Sequence, residues 1–461
     1  MKENQKEENL IIKKKPEQLS RTKRFMIFLI LYLISTIINS EKIIFFPYYK
    51  NINDNIIKLK ISFCQSLGLF LGGIIYIKIS QIENRRKITF IFFLINSLLY
   101  FIYPMTENKI IFYCCRFLIK TLTVHRTTFI AVWIDQIGMK GYKTILMFIH
   151  LNLDLGKITG VIMYNNIGYK KWYLNYIIFG ILMFAFDCLL LIFPEKYFSL
   201  KLNFIGYKSD KKEEYIISND PEKISFFEEK EEKHNKTGFL KTIIKNKVYI
   251  FSILANFIFY LVNFIINLNI LNYIITSYYF PNSYKQIMVS SQKSFNDFAI
   301  VFGFFGYLYE IIGLLCIGGY ENKNSAIFLG INSILNFISS LFLFFSNKSL
   351  LFSIGYFLYI FFSPSINYIN VCFLINLLPN KYKGSGFALN LVFEAAGMVG
   401  PLIYGLMQDY FGKHNPTLPW KINIIFIIFE TTFCLIASYY RYYYKEEEIK
   451  DDNEKELEII A

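Results

Sequence analysis

Along the whole chain, blocks of mostly apolar positions alternate with short polar stretches. Inside the blocks there is no period of two. "FIFFLINSLLYFIY" (90–103) is apolar on every face, which excludes the half-buried strands of a membrane barrel. A bilayer is crossed by about 20 consecutive apolar residues in a helix, and twelve blocks have that length. The first six cover 25–47, 57–79, 87–105, 109–134, 142–164 and 172–193. The other six cover 247–277, 296–318, 325–346, 349–376, 384–407 and 421–441. The alternation in "HLNLDLGKITG" (150–160) lies inside one of these blocks and reads as helix. The expected fold is an all-α membrane protein of twelve transmembrane helices.

The blocks fall into two sets of six, separated by the charged stretch "KSDKKEEYIISNDPEKISFFEEKEEKHNK", which reads as a linker. The sets echo each other. "INSLLYFI" (95–102) returns as "INSILNFI" (331–338), each time in the third span of its set and after a polar turn, "ENRR" or "ENKN". Duplicated six-helix halves point toward a transporter. The expected domains are a tail (1–24), a first bundle (25–193), the linker (194–246), a second bundle (247–441) and a second tail (442–461).

Composition agrees with this picture: 54% of the 461 residues are hydrophobic, and 18% are charged. The net charge of +14 suggests a nucleic-acid partner only until its distribution is examined. With both tails on the cytoplasmic side, that side carries 33 Lys and Arg against 11 on the other. This is the positive-inside bias. It places both termini in the cytoplasm and leaves no reason to expect nucleic acid. Residues 1–24 are polar and lead into a full span, so no cleavable signal is expected. The seven cysteines all fall in spans, as small buried residues and not as a disulfide or metal framework. No cofactor is expected. The expected surroundings are the lipid bilayer, a small-molecule substrate, protons as a coupling ion, and a monomeric chain.

A charge at the centre of a spanning helix costs about 2.5–3.5 kcal/mol, so it should face protein or water. These charges are unevenly spread. The first span has Glu41 and Lys42, the fourth Arg116, Lys120 and Arg126, and the fifth His150, Asp154 and Lys157. The eighth has Glu310 and the eleventh Glu394. The third and ninth carry none, and the sixth and twelfth one acid each, Asp187 and Glu430. On a helix, His150, Asp154 and Lys157 share one face. Depth pairs Asp154 with Lys120 and Glu41 with Arg116, either as structural locks or as cavity groups. His150 is a packed histidine or a proton relay. Asp187 and Glu430 are protonated, bonded to a neighbour, or outside the true spans. Asn256, Asn263 and Asn267 share a face of the seventh span, as substrate ligands or interhelical bonds. The eleventh span, with Asn390 and Glu394, is rich in Gly and contains Pro401, features of tight packing or of a moving gate.

Several stretches together resemble the major facilitator superfamily, and some resemble its Spinster-like branch. "INSEK" (38–42) is similar to the Asn-x-x-Asp-Arg pattern of the family's first helix. "CRFLIK" (115–120) resembles the Arg-led motif of its fourth, with Arg116 as the arginine. "VWIDQ" (132–136), Gly156 and Gly160 resemble the end of helix four and the small-residue face of helix five. "LPNKYKGSGFALN" through "GMVGPLIYGLMQDYFG" (378–412) is similar to the helix-eleven region. The cytoplasmic loop "YIKISQIENRRK" keeps Arg85 and Arg86 of the family's gate motif but lacks its glycines and aspartate, with Glu83 as the available acid. The resemblance implies two pseudo-symmetric six-helix bundles rocking around a central cavity lined by Glu41, Lys42, Arg116, Lys120, His150, Asp154, Lys157, Asn263, Glu310, Asn390 and Glu394. It also implies a cytoplasmic gate at Glu83, Arg85 and Arg86. The acid usual in the fourth helix is missing, so proton coupling falls to Glu41 or Asp154.

An enzyme is disfavoured because the four histidines (His125, His150, His234, His414) are scattered, and "GMKGYKT" lacks the Gly-Lys pair of a nucleotide loop. The expected function is secondary or facilitative transport of a small organic solute by alternating access. The cations of the fourth span favour an anionic or amphipathic solute such as a lysolipid. The alternative is a transport-dead receptor on the same fold.

Overall fold

The computed structural model describes residues 21–50, 55–79, 85–105, 108–137, parts of 155–167, 171–198, 239–316, 323–378 and 380–443. In the first half these form α1 (Arg21–Lys50), α2 (Asn55–Ile79), α3 (Arg85–Met105), α4 (Lys109–Ile137) and α5 (Trp172–Leu190). The second half has α6 (Phe239–Lys245), α7 (Lys247–Thr276), α8 (Asn282–Ser290), α9 (Gln292–Cys316) and α10 (Asn324–Phe345). It continues with α11 (Ser349–Asn376), α12 (Asn380–Gly397), α13 (Gly400–Phe411) and α14 (Leu418–Tyr443). No strand occurs among the described residues. Lipid offers no partner for a peptide group, so apolar segments satisfy their backbones internally as helices.

Nine spans among the described residues are long and apolar enough to cross a membrane. The helices α2 and α4, of 25 and 29 residues, also have the length, and α2 contains the shorter apolar stretch Phe63–Ile77. Most of the predicted fifth span lies outside the described residues. This is an integral, multi-pass membrane protein. Outward positions such as Leu98, Ile102, Ile181 and Phe184 are exposed side chains of a kind that lipid, not water, accommodates.

Observed and expected boundaries agree within a few residues, with two differences of substance. The eighth span begins four residues earlier than its apolar block, because Gln292–Phe295 continue the helix beyond the greasy run. The eleventh is not one helix. It breaks between α12 and α13 at Met398–Val399, where Pro401 has no N–H to offer the Gly397 carbonyl. The Met398 amide is shared between Glu394 O at 3.3 Å and Ala395 O at 3.2 Å, and the Val399 amide bonds back three residues to Ala396 O at 3.1 Å.

In the first half α3 packs on α4 and α5, α1 on α4 and α5, and α2 on α4. In the second half α10, α11, α14 and α7 form the body, with α9 against α11 and α12 against α7 and α11. Asn246 joins two of these helices. Its side-chain oxygen caps α7 by accepting from the Tyr249 amide (3.0 Å), and its amide donates to Leu377 O at the end of α11 (3.1 Å). Near the opposite end Trp420 stacks on Tyr273 at 4.5 Å and donates its indole N–H to Leu343 O at 3.1 Å.

One described helix packs on both halves. In the second half α12 lies against α7 and α11, and across the divide it lies against α2 and α4. Its Ser385 hydroxyl donates to Ile77 O of α2 at 3.2 Å. Gly73 of α2 makes the approach possible, since a Cβ there would lie 2.6 Å from Val392 Cγ2 and 3.1 Å from Ala388 O. Gly72 faces the other way, with α4's Thr121 O only 2.7 Å from where its Cβ would be, and Gly68 is pressed against the Phe117 carbonyl.

Candidate functional site

On α12, Asn390 and Glu394 sit one turn apart and both engage α7. Asn256 donates its amide to Asn390 Oδ1 at 3.1 Å, and Tyr260 lies within electrostatic reach of Glu394 and beside Asn367 of α11. Three helices thus meet around a carboxyl, a phenol and three amides. The α12–α7 approach is close because Gly397 leaves only 2.8 Å between its missing Cβ and Tyr260 Cβ, and Gly400 is pressed against the Leu261 carbonyl. The break at Met398–Val399 follows Glu394 by one turn, so the acid stands near the carbonyl end of a half-helix, where negative potential gathers. Asn263, one turn beyond Tyr260 on α7, is half-buried and accepts from Asn267 at 3.5 Å.

The cations of α4 lie in the other half. Arg116 is 1% exposed. Its guanidinium sits 5.2 Å from the Tyr103 ring centre, and with the Gln65 amide oxygen turned toward it, Nε and Nη2 donate at 3.2 and 3.0 Å. Tyr103 packs on Tyr176 at 4.9 Å, and Tyr176 on Tyr100 at 5.9 Å. Arg116 therefore points into its own bundle, toward α3 and α5, and is held by a planar amide and an aromatic face. Lys120, one turn further, is also buried, with its Cβ 3.2 Å from where Gly68 would carry one.

Glu310 of α9 is buried in the second half beside α11. Arg86 donates Nη1 to Phe193 O at 3.0 Å, just past the end of α5. That bond stays within the first bundle. Glu41, Lys42 and Arg85 lie on α1 and α3, but their side chains, and Glu83, His150, Asp154 and Lys157 altogether, fall outside the described residues. Gly156 is described and packs against α1, with Thr36 O at 3.0 Å from its missing Cβ. Asp187 and Glu430 lie inside helices and are buried, which removes the reading that they fall outside the spans.

Sequence reasoning passed over Gln65, Tyr260, Asn367 and the tyrosines around Arg116. The first three are single polar residues in apolar spans, and that was the available signal. Among 35 tyrosines and 49 phenylalanines, three more aromatics give none.

No family model matches the chain, and no curated protein matches it by sequence. Solved structures do match. A point variant of the E. coli fucose:proton symporter FucP superposes with a TM-score of 0.62 at 12% identity, over 90% of this chain and 98% of that one. The proton:xylose symporter XylE, bound to 6-bromo-6-deoxy-D-glucose, gives 0.63 at 12%, over 89% and 95%. The human organic anion transporter MFSD10 (TETRAN) gives 0.63 at 10%, over 90% and 100%. The chain has the major facilitator fold.

Proposed function

We propose that the chain is a secondary or facilitative transporter that moves a small organic solute across the membrane by alternating access. The observation that carries this reading is the arrangement around α12. A helix that is broken before Pro401, presents Glu394 toward Tyr260 of α7 and Asn367 of α11, and is seated on glycine against the opposite half has the parts of a moving, polar-lined helix. The two halves act as rigid units, with residues 25–193 and 247–441 as the bundles and both termini cytoplasmic.

The solute is anionic or amphipathic, a class that includes lysolipids. Lys120 on α4 supports the anionic part, and an organic anion is what the structurally similar MFSD10 is said to carry. Proton coupling is the driving mode, as in the two sugar symporters named above. Short motifs in the first, fourth and eleventh helices favour the Spinster-like branch.

The test begins with a thermal-shift screen of purified protein across lysolipids, organic anions, sugars, nucleosides and amino acids. Hits then go into uptake assays in proteoliposomes with and without a pH gradient. Saturable uptake that Glu394→Ala abolishes supports the proposal. Binding without any uptake would leave a receptor on the same fold, and uptake indifferent to the gradient would remove the proton.

A further inference from the structure

The second bundle contains two acids that the transport site does not use. Glu310 of α9 and Glu430 of α14 are each 1% exposed, and all four carboxyl oxygens lack a hydrogen-bond partner among the described residues. They lie at one depth. α9 and α11 run parallel, with Phe302 stacked on Phe357 and Gly306 pressed on Phe361, so Glu310 is level with Ser365. Asn370 of α11 bonds Cys434 of α14 at 3.5 Å, so Glu430, one turn back, is level with Ile366. The two levels differ by one residue, roughly 1.5 Å of rise. At this level is Pro364, whose missing N–H leaves the Ile360 carbonyl without its helical donor.

Among the described residues the surroundings supply polar atoms but no charge. Buried beside Glu430 is the Tyr359 hydroxyl, without a hydrogen-bond partner. The Asn370 oxygen and both amide atoms of Asn336 on α10 are likewise unsatisfied. A Cβ on Gly330 of α10 would lie 3.6 Å from Leu435 and 3.8 Å from Ser438, and counting along the antiparallel pair brings Asn336 to the level of Glu430.

Among the described residues, the titratable groups within electrostatic reach are Tyr359 and Cys434 for Glu430, and Cys372 for Glu310. All three are neutral near pH 7 in their ordinary forms. α10 and α11 have no Asp, Glu, Lys, Arg or His. On α9, Lys293 is roughly 26 Å of helix from Glu310. On α14, Lys421 and Arg441 are roughly 14 and 17 Å from Glu430. Lys247 starts α7, Lys285 is on the short α8, and Asp409 is in the last turn of α13. An ionised carboxylate buried without a countercharge costs several kcal/mol, and protonation removes that cost.

We infer that Glu310 and Glu430 form a proton-binding site in the second bundle, each holding a proton as a neutral acid at the level of Pro364. A neutral acid is both donor and acceptor, which lets it bond the orphaned amide, phenol and carbonyl groups around it. If the transport proposed above is proton-driven, this site moves the coupling acids from Glu41 or Asp154 to the second bundle. The site itself does not depend on that reading.

Infrared spectroscopy of the full chain in lipid nanodiscs at about pH 6.5, where exposed carboxyls are already ionised, tests the assignment without any substrate. The wild-type spectrum minus that of the double variant Glu310→Gln/Glu430→Gln is expected to show the carbonyl stretch of protonated carboxyls. Carboxylate bands in its place overturn the proposal. Gln reproduces the shape of the neutral acid, so unchanged melting is expected for both single variants. If the double variant fails to fold, each single difference spectrum decides between the same two outcomes. A missing carboxyl band leaves transport untouched, and absent uptake leaves the proton site untouched.

Discussion

Replacing Gly73 with leucine should force the two halves apart where α2 meets α12. Carbon atoms pack at about 3.5–4.0 Å, whereas a Cβ at this position would lie 2.6 Å from Val392 Cγ2 and 3.1 Å from Ala388 O. Val392 can rotate away from a single methyl, but the Ala388 carbonyl is backbone and cannot. Three further carbons leave α12 no course but to retreat. Overpacking of this kind costs about 1–3 kcal/mol. Only the conformation in which the halves touch bears that cost, so the balance shifts toward the parted form by about 5- to 150-fold. Ser385, which is buried and bonded to Ile77 across the same seam, reports the change. In a Ser385→Cys background, a polar maleimide should label the introduced thiol faster by a factor in that range when Gly73→Leu is added, with little change in melting. Labelling of the parent protein sets the baseline from the native cysteines. Gly68→Ala is the contrast: its new methyl meets the Phe117 backbone inside one bundle, so melting should fall while labelling of the introduced thiol stays slow. If Gly73→Leu behaves like Gly68→Ala, the seam is not where the halves separate.

Three more outcomes follow from packing and hydrogen bonding. Arg116→Lys should lower the melting temperature nearly as much as Arg116→Ala, because an ammonium lacks the planar fork that engages Gln65 and the Tyr103 face; full rescue by lysine would show that charge alone matters. Asn246→Ala should cost about 1 kcal/mol through the lost cap of α7, and hydrogen exchange should rise at Tyr249 and at the end of α11 together. Pro401→Ala restores a donor for the Gly397 carbonyl, so it should raise melting while slowing maleimide labelling in the Ser385→Cys background; faster labelling would contradict the break as a point of bending.

The spans were legible because an apolar run of bilayer length admits few structures, and the break in the eleventh was foreshadowed by Pro401 and its glycines. The roles of Gly68, Gly72 and Gly73 were not. In "GLFLGG" they read as ordinary members of a greasy segment, and only the identity of the opposing helix separates the two faces. Rotation about a helix axis is similarly hidden. Depth along α4 set Arg116 level with an acid on α1, whose side chain lies outside the described residues, but it gave no sign of the tyrosines of α3 and α5 that Arg116 faces. Glu310 and Glu430 were visible as intramembrane acids, but their common level depends on how α9 and α14 register against α11, which no single span records. For Asn390 and Glu394, spacing on one helix face was enough to single them out, while their partners on α7 and α11 were not readable.

The opposed glycine faces of α2 determine what can move. Gly68 and Gly72 key the helix into α4 so tightly that the pair must travel as one plank, whereas Gly73 meets α12 mainly through the tip of a valine. Any parting of the halves therefore has a ready-made fracture plane, and α2 cannot swing as a lone lever. Evolutionary drift at Gly73 would alter how firmly the halves hold together, while drift at Gly68 or Gly72 would loosen the first bundle itself.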